Sequence, residues 1–385
     1  MTSKEISGQL LKEIMAGAYS EATRLPSESA LAERFSVSRM TLRVALDELR
    51  HQGLIEKRNG LGSFLTKRAL RRSGGIGLVV PDFETFAFFT EIKKEIERHA
   101  SRLGYRIDLV FTRRQGHAAA VRDILNKVRE LAAKRIEGAI FRPFVTEDFS
   151  ETNGEIVNIL RRAEVPVVLI DSDITRPPER SDCDLVAVNN IGAGRQIARH
   201  LHERGYHRIA FLMENRNPLA NANWSNRLFG LAGELALCGC EESVSQLAFS
   251  PTDEAAVGKL LRCRTRPDAI VCGNDEQAER LMGTISRLGK RVPDDVAVVG
   301  FDDMPLARST IPPLTTVSQP VRKLAGTAFK ALLARIRYPN NDPREILLDA
   351  PLVVRSTTGI PPVRHSSIMK PKCRQVTAPC TAADM

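Results

Sequence analysis

Residues 25–64 read LPSESALAERFSVSRMTLRVALDELRHQGLIEKRNGLGSF. The stretch divides into two short helices joined by a tight turn, then a small hairpin. Ser27 suits a helix N-cap, where its hydroxyl satisfies a free backbone N–H, and Pro26 discourages the helix from extending backwards. Leu31 and Phe35 stand i to i+4 on one face. Ser36-Val37 makes the turn, and Ser38 caps a second helix whose apolar stripe is Leu42, Ala45, Leu46 and Leu49. Gly53 stops that helix. Leu54-Ile55 and Phe64-Leu65 flank residues 58–62, whose Asn59-Gly60 pair is a hairpin-turn signal. With Ile6, Leu10, Leu11 and Ile14 giving a first amphipathic helix beneath, the expected fold is a winged helix-turn-helix.

The case for DNA rests on charge and position. A recognition helix meets base edges with its N-terminal residues. Here the exposed start of the second helix is Ser38-Arg39-Met40-Thr41, followed by Arg43. Arginine pairs bidentately with guanine, while Ser and Thr hydroxyls hold phosphates. Residues 1–72 carry 13 Lys/Arg against 8 Asp/Glu, half of the chain's net charge of +10. Arg39 and Arg43 on an ordinary solvated face would be the plainer reading, and helix-turn-helix shapes also serve protein–protein contacts.

The pattern LPSE-x-x-LAERF-x-VSR-x-TLR-x-AL-x-x-L-x-x-x-GLI resembles the DNA-binding domain of the GntR family of bacterial transcription regulators. The resemblance implies DNA contacts from Ser27, Ser38, Arg39, Thr41 and Arg43, and from Arg58 and Gly60 in the wing. Ser29 and Leu61 stand where that family often carries a basic residue, so operator preference is expected to differ.

At 385 residues the chain is too long for one winged helix. Its 43% hydrophobic and 26% charged residues are those of an ordinary globular protein. Beyond the N-terminal basic region and a tail carrying +3 after Val363, the middle is nearly neutral, as for one nucleic-acid module on a non-DNA-binding body. No signal peptide precedes the helix-turn-helix, and no apolar run approaches the ~20 residues of a membrane span. The seven cysteines show no zinc or C-x-x-C spacing, so the expectation is a cytoplasmic protein with reduced thiols, no metal and no cofactor.

From Ile76 onward, continuous apolar runs alternate with amphipathic helices. Runs at 76–80, 106–111, 138–141 and 167–170 form a first set. Runs at 185–188, 208–212, 246–249, 269–272 and 296–301 form a second. Such strands imply parallel sheets covered on both faces. We therefore expect an α/β fold of two doubly wound lobes with a cleft between them. A last long helix follows Gln319-Pro320, and 346–352 returns as a final strand. The domain expectation is a DNA-binding head at 1–68, a linker at 69–75, a two-lobed body at 76–358 and a disordered tail at 359–385.

Ligands of parallel sheets bind beyond the carboxyl ends of the strands. Asp82, Arg142, Asp171, Asp173, Asn189-Asn190 and Asn274-Asp275 follow strands there, and Arg227 lies on the helix after Trp224. A carboxylate that accepts two hydroxyls, an arginine that donates in a fork and an aromatic ring fit a sugar. Helix capping is the simpler role for Asn189, Asn190 and Asp275, and Trp224 suits a core position as well as a ligand platform.

Residues 76–358 resemble the effector domain of the LacI/GalR family, itself similar to periplasmic sugar-binding proteins. The matching pieces are HLHERGYHRIAFL, NRLFGLAGEL, RPDAIVCGNDEQAERLM, GKRVPDDVAVVGFDDMPLA and PPLTTVSQP. The resemblance implies effector contacts from Arg227 and Asp275, with Phe88, Phe89 and Asp302 near the cleft. Asn189 departs from that family's pattern. A GntR-type head on a LacI-type sensor resembles the arrangement of arabinose repressors.

The expected function is a ligand-responsive transcription regulator, a repressor released by a sugar, acting as a homodimer on palindromic operator DNA with no membrane role. A nucleoside or purine effector, activation, or a corepressor remains open. An enzyme is the rival class. Gly192-Ala193-Gly194 is similar to a dinucleotide-binding turn, but Ile197 replaces the third glycine and no nucleophile or metal set accompanies the histidines.

Overall fold

The computed structural model describes all residues except 16–17, 20–23, 52, 59, 67–73, 82–86, 113–115, 146–148, 176–178, 214–220, 240–243 and 360–385. Asn59, Asp82, most of the expected linker and nearly all of the expected tail lie outside the described residues.

The head comprises helices α1 (Ser3–Met15), α2 (Glu28–Phe35) and α3 (Arg39–His51) and strands β1 (Ile55–Arg58) and β2 (Gly62–Leu65). Ser27 Oγ accepts the Ala30 N–H at 3.2 Å, and Ser36 turns the chain between α2 and α3 at φ 53°. β1 and β2 pair antiparallel, with Ile55 opposite Leu65. Ile6, Leu10, Leu31, Phe35, Leu42, Leu46, Leu49 and Leu54 close one core, so a period-3.6 stripe from each helix is buried.

The body has two six-stranded sheets. The first lobe contains β3 (Gly75–Val79), β4 (Arg106–Val110), β5 (Gly138–Phe141), β6 (Val167–Ile170), β7 (Asp184–Val188) and β13 (Glu345–Leu348). All are parallel, in the order β13-β7-β6-β5-β3-β4. The second contains β8 (Ile209–Met213), β9 (Val244–Ala248), β10 (Ala269–Cys272), β11 (Ala297–Asp302), β12 (Thr315–Ser318) and β14 (Leu352–Val353). Its order is β14-β12-β11-β10-β8-β9, with only β14 antiparallel. Helices α4 (Ala87–Arg102), α5 (His117–Ala133) and α6 (Ser150–Arg162) cover the first sheet. The second is covered by α7 (Asn190–Glu203), α8 (Ala222–Leu237), α9 (Glu254–Arg262), α10 (Asp275–Arg287) and the short α11 (Pro305–Ser309).

Three features differ from the sequence expectation. The run at 185–188, expected to open the second set, is β7 and pairs between β6 and β13 in the first sheet. Residues 346–352 are not one strand: β13 completes the first sheet and β14 the second, so 349–351 crosses between lobes. The last long helix, α12 (Val321–Arg337), follows β12 of the second lobe yet packs on the first, placing Leu324, Ala328, Phe329 and Leu332 against Ile76, Ile140 and Val168. With the step from β7 to α7, three segments join the lobes. Asn189 braces two of them, accepting the Gly192 N–H at 2.9 Å and donating to Asp349 Oδ1 at 3.2 Å.

Candidate functional site

A cleft opens between the two lobes and is lined from both. The first lobe lines it with Phe88, Phe89, Arg142, Val145 and Asp171. The second contributes Asn221, Asn223, Trp224, Arg227, Gly273, Asn274 and Asp302, and Gln319 enters from a crossover.

Strand ends supply the charged groups. Asp171 follows β6 and Asp302 ends β11, and both hold positive φ, 78° and 121°. Non-glycine residues rarely adopt such backbone, and it concentrates at functional sites. Arg142 Nε lies 3.4 Å from Asp171 Oδ2, and its guanidinium sits over the Phe89 ring at 4.3 Å. The Phe88 and Phe89 rings meet edge to face at 5.2 Å.

Arg227 is held from three sides. Its Nε donates to Asn190 Oδ1 at 2.8 Å, a terminal N–H donates to the Gly273 carbonyl at 2.5 Å, and its guanidinium lies 3.4 Å from the Phe301 ring centroid. Burial lowers its pKa to about 10, opposed by the Asp302 charge, so it stays cationic at neutral pH. Close helix packing places it there. A Cβ on Gly194 of α7 would collide with the Arg227 carbonyl of α8, and a Cβ on Gly230 with the Ile191 carbonyl. Trp224 lies on Gly273, where a Cβ would overlap the indole. That contact makes its ring a wall of the cleft.

Asp302 Oδ1 accepts Gln319 Nε2 at 2.6 Å. Burial pushes the Asp302 carboxyl up to about 8, with Arg227 pulling it down and Asp275 pushing it further up. Among the described residues Gln319 Oε1 is buried without a hydrogen-bond partner, an acceptor left for a donor in the cleft.

Of the sequence-derived effector residues, Phe88, Phe89, Arg142, Asp171, Trp224, Arg227, Asn274 and Asp302 converge on this cleft. Asp275 is not among the residues that line it. Its carboxyl turns into the second lobe, accepting the Thr316 hydroxyl at 2.5 Å and the Met304 N–H at 3.0 Å, and burial raises it to about 6. Asn274 lines the cleft while also capping α10 through the Gln277 N–H at 2.7 Å. Gln319, Asn221 and Asn223 were missed. Gln319 falls one residue past the end of β12 and was within reach of the same strand-end rule.

On the head, the start of α3 exposes Arg39, Met40, Arg43 and Val44 while Leu42 and Ala45 point inward. Arg39 has no hydrogen bond or ion pair among the described residues, so its guanidinium is free for a ligand. Ser38 Oγ accepts the Thr41 N–H at 3.1 Å and sits 2.9 Å from Thr41 Oγ1. Arg43 is tied to Glu28 at 3.0 Å, with Lys57 3.7 Å from the same carboxylate. Arg58 pairs with Glu56 at 2.7 Å and lies over the Phe64 ring at 4.5 Å. Gly60, at φ 74°, and Leu61 lie exposed between the wing strands. Among the described residues no helix is long and apolar enough to cross a membrane, and no three His, Cys, Asp or Glu converge as a metal site.

A winged-helix head on a cleft-bearing two-lobed body defines a ligand-responsive transcription regulator. Residues 2–65 match the bacterial regulatory proteins of the gntR family, and residues 198–358 match the periplasmic binding protein-like domain. The chain is 31% identical over 283 residues to the HTH-type transcriptional repressor PurR of Vibrio atlanticus, covering 73% of this chain and 80% of that one. The PurR of Vibrio vulnificus is 30% identical with the same coverage. This chain belongs to the LacI family of transcriptional repressors and carries a GntR-type head. Solved structures share the fold. A transcriptional regulator CelR–cellobiose complex aligns at TM-score 0.62 and 23% identity over 86% of this chain and all of that one. The lac repressor dimer bound to operator and the anti-inducer ONPF aligns at TM-score 0.59 and 24% identity over 74% and 93%.

Proposed function

We propose that this repressor is released from its operator by a neutral sugar bound between the lobes. The observation that carries the reading is the joining, in one cleft, of fork donors and carboxyl acceptors (Arg142, Arg227, Asp171, Asp302) with the Trp224 ring. The ring suits the C–H face of a sugar, and the polar groups suit its hydroxyls. Solved relatives of the fold hold cellobiose and ribose. On the head, Arg39, Thr41 and Arg43 read base edges and phosphates, Ser27 and Ser38 hold phosphates, and Arg58 and Gly60 carry the wing to the backbone. A two-fold dimer matches half-sites about one helical turn apart.

Trp224 is the only tryptophan, so ligand binding reports directly in intrinsic fluorescence. A panel of pentoses, hexoses, uronic acids, sugar phosphates, disaccharides and nucleosides is read by fluorescence and by thermal shift. A neutral sugar that changes both signals and releases DNA supports the reading. A response confined to nucleosides or phosphates overturns the sugar assignment. Arg39→Ala is expected to weaken DNA binding and spare effector binding, while Arg227→Ala does the reverse.

A further inference from the structure

The two functional surfaces are joined by one helix. α12 rises about 1.5 Å per residue over 17 residues, roughly 25 Å in all. Its first turn follows Gln319, whose amide holds Asp302 at 2.6 Å and whose Oε1 has no partner in the cleft among the described residues. At its far end, Arg337 Nε donates to the His51 carbonyl at 3.2 Å. His51 is the last residue of the recognition helix α3. The last carbonyls of a helix lack intrahelical partners and favour a cation. Arg337 therefore caps α3 from the sensor body.

The platform beneath this contact is braced. Two residues earlier, Arg335 Nε donates to the buried Asp184 at 2.8 Å. Other Arg335 N–H groups hold the carbonyls of Pro339, Asn341 and Asp342, and the Arg344 N–H returns to Asp184 at 2.8 Å. The Arg337 guanidinium itself lies over the Tyr338 ring at 5.2 Å. The end of α12 and the turn after it thus form one fixed support.

We propose that α12 couples the cleft to the DNA head, with Arg337 as the positioning residue. In the unliganded protein the Arg337–His51 contact holds α3 in its DNA-binding posture. An effector that engages Gln319 shifts the opposite end of α12 and loosens that hold. The inference rests on the cleft being the effector site, but its first test needs no effector.

Arg337→Ala in the full chain is expected to speed amide exchange over residues 46–54, because the end of α3 loses its cap. It is expected to weaken binding three- to tenfold to a duplex selected in vitro with the wild-type protein. The slope of log affinity against log salt stays at the wild-type value. Arg337→Lys restores part of the affinity, and His51→Ala, which keeps the carbonyl, behaves as wild type. With a sugar that shifts the melting temperature, Arg337→Ala keeps the shift while the ratio of DNA affinities without and with sugar falls toward one. Wild-type exchange and wild-type affinity in Arg337→Ala overturn the proposal. So does a salt slope smaller by about one, which marks Arg337 as a phosphate contact instead. A barren sugar panel or DNA selection counts against the proposed function alone, since the exchange experiment still decides the latch.

Discussion

Asp302→Asn tests the electrostatics of the cleft. The fold raises the Asp302 carboxyl from its ordinary 3.8 to about 8, chiefly by burial and against the pull of Arg227. The folded protein therefore holds this proton more tightly than the unfolded chain between pH 4 and 8. Over that window the unfolded state binds fewer protons, so this group makes stability fall as pH rises and contributes no further change above about 8. At about 1.4 kcal/mol per pH unit, full conversion is on the order of 5 kcal/mol. Solvent still reaches part of the residue at the cleft wall, so we expect about half of that. Asparagine keeps an acceptor for Gln319 Nε2 and cannot ionise. The variant should gain on wild type steadily from pH 4 to 8, reaching about 2–3 kcal/mol, several degrees in melting temperature. Calorimetric melts at half-unit pH intervals in the absence of ligand measure the difference. Parallel curves for the two proteins would refute the raised carboxyl.

Three further outcomes follow from contacts described above. Asp275→Ala should destabilise the protein by about 2–4 kcal/mol, by leaving the Met304 N–H and the Thr316 hydroxyl unpaired, and should leave effector affinity unchanged. A large loss of effector affinity in folded protein would restore Asp275 to the site. Glu28→Gln releases Arg43 and Lys57 from a shared carboxylate, so DNA affinity at low salt should rise severalfold with a steeper salt slope. An unchanged titration would remove Arg43 from the DNA contacts. Gly194→Ala forces a methyl into the Arg227 carbonyl and should cost about 1–3 kcal/mol, read as a lower melting temperature. A wild-type melt would show that α7 and α8 are free to part.

What was legible in the sequence was what is encoded locally. Ser27 and Ser36 shape the helix-turn-helix through contacts a few residues away, and the inward stripe of α3 follows from its period. The apolar runs of the two sheets needed only burial on both faces. Side-chain direction at a strand end is a different kind of information. Asn274 and Asp275 are neighbours at the start of α10, and only the packing of Thr316 and Met304 decides that Asp275 turns inward while Asn274 lines the cleft. Nor does any local pattern mark 349–351 as a crossing between lobes, because β13 and β14 each pair with strands from distant parts of the chain. The same holds for α12. Its apolar stripe announces a helix and says nothing of which sheet it covers. That choice was made by the first lobe, where Ile76, Ile140 and Val168 offer the face that Phe329 and Leu332 fill. Because α12 belongs to the first lobe while Gln319 bonds Asp302 of the second, relative motion of the lobes acts on the start of this helix at Gln319-Pro320. Arg337 stands at the other end of the same helix, against the head.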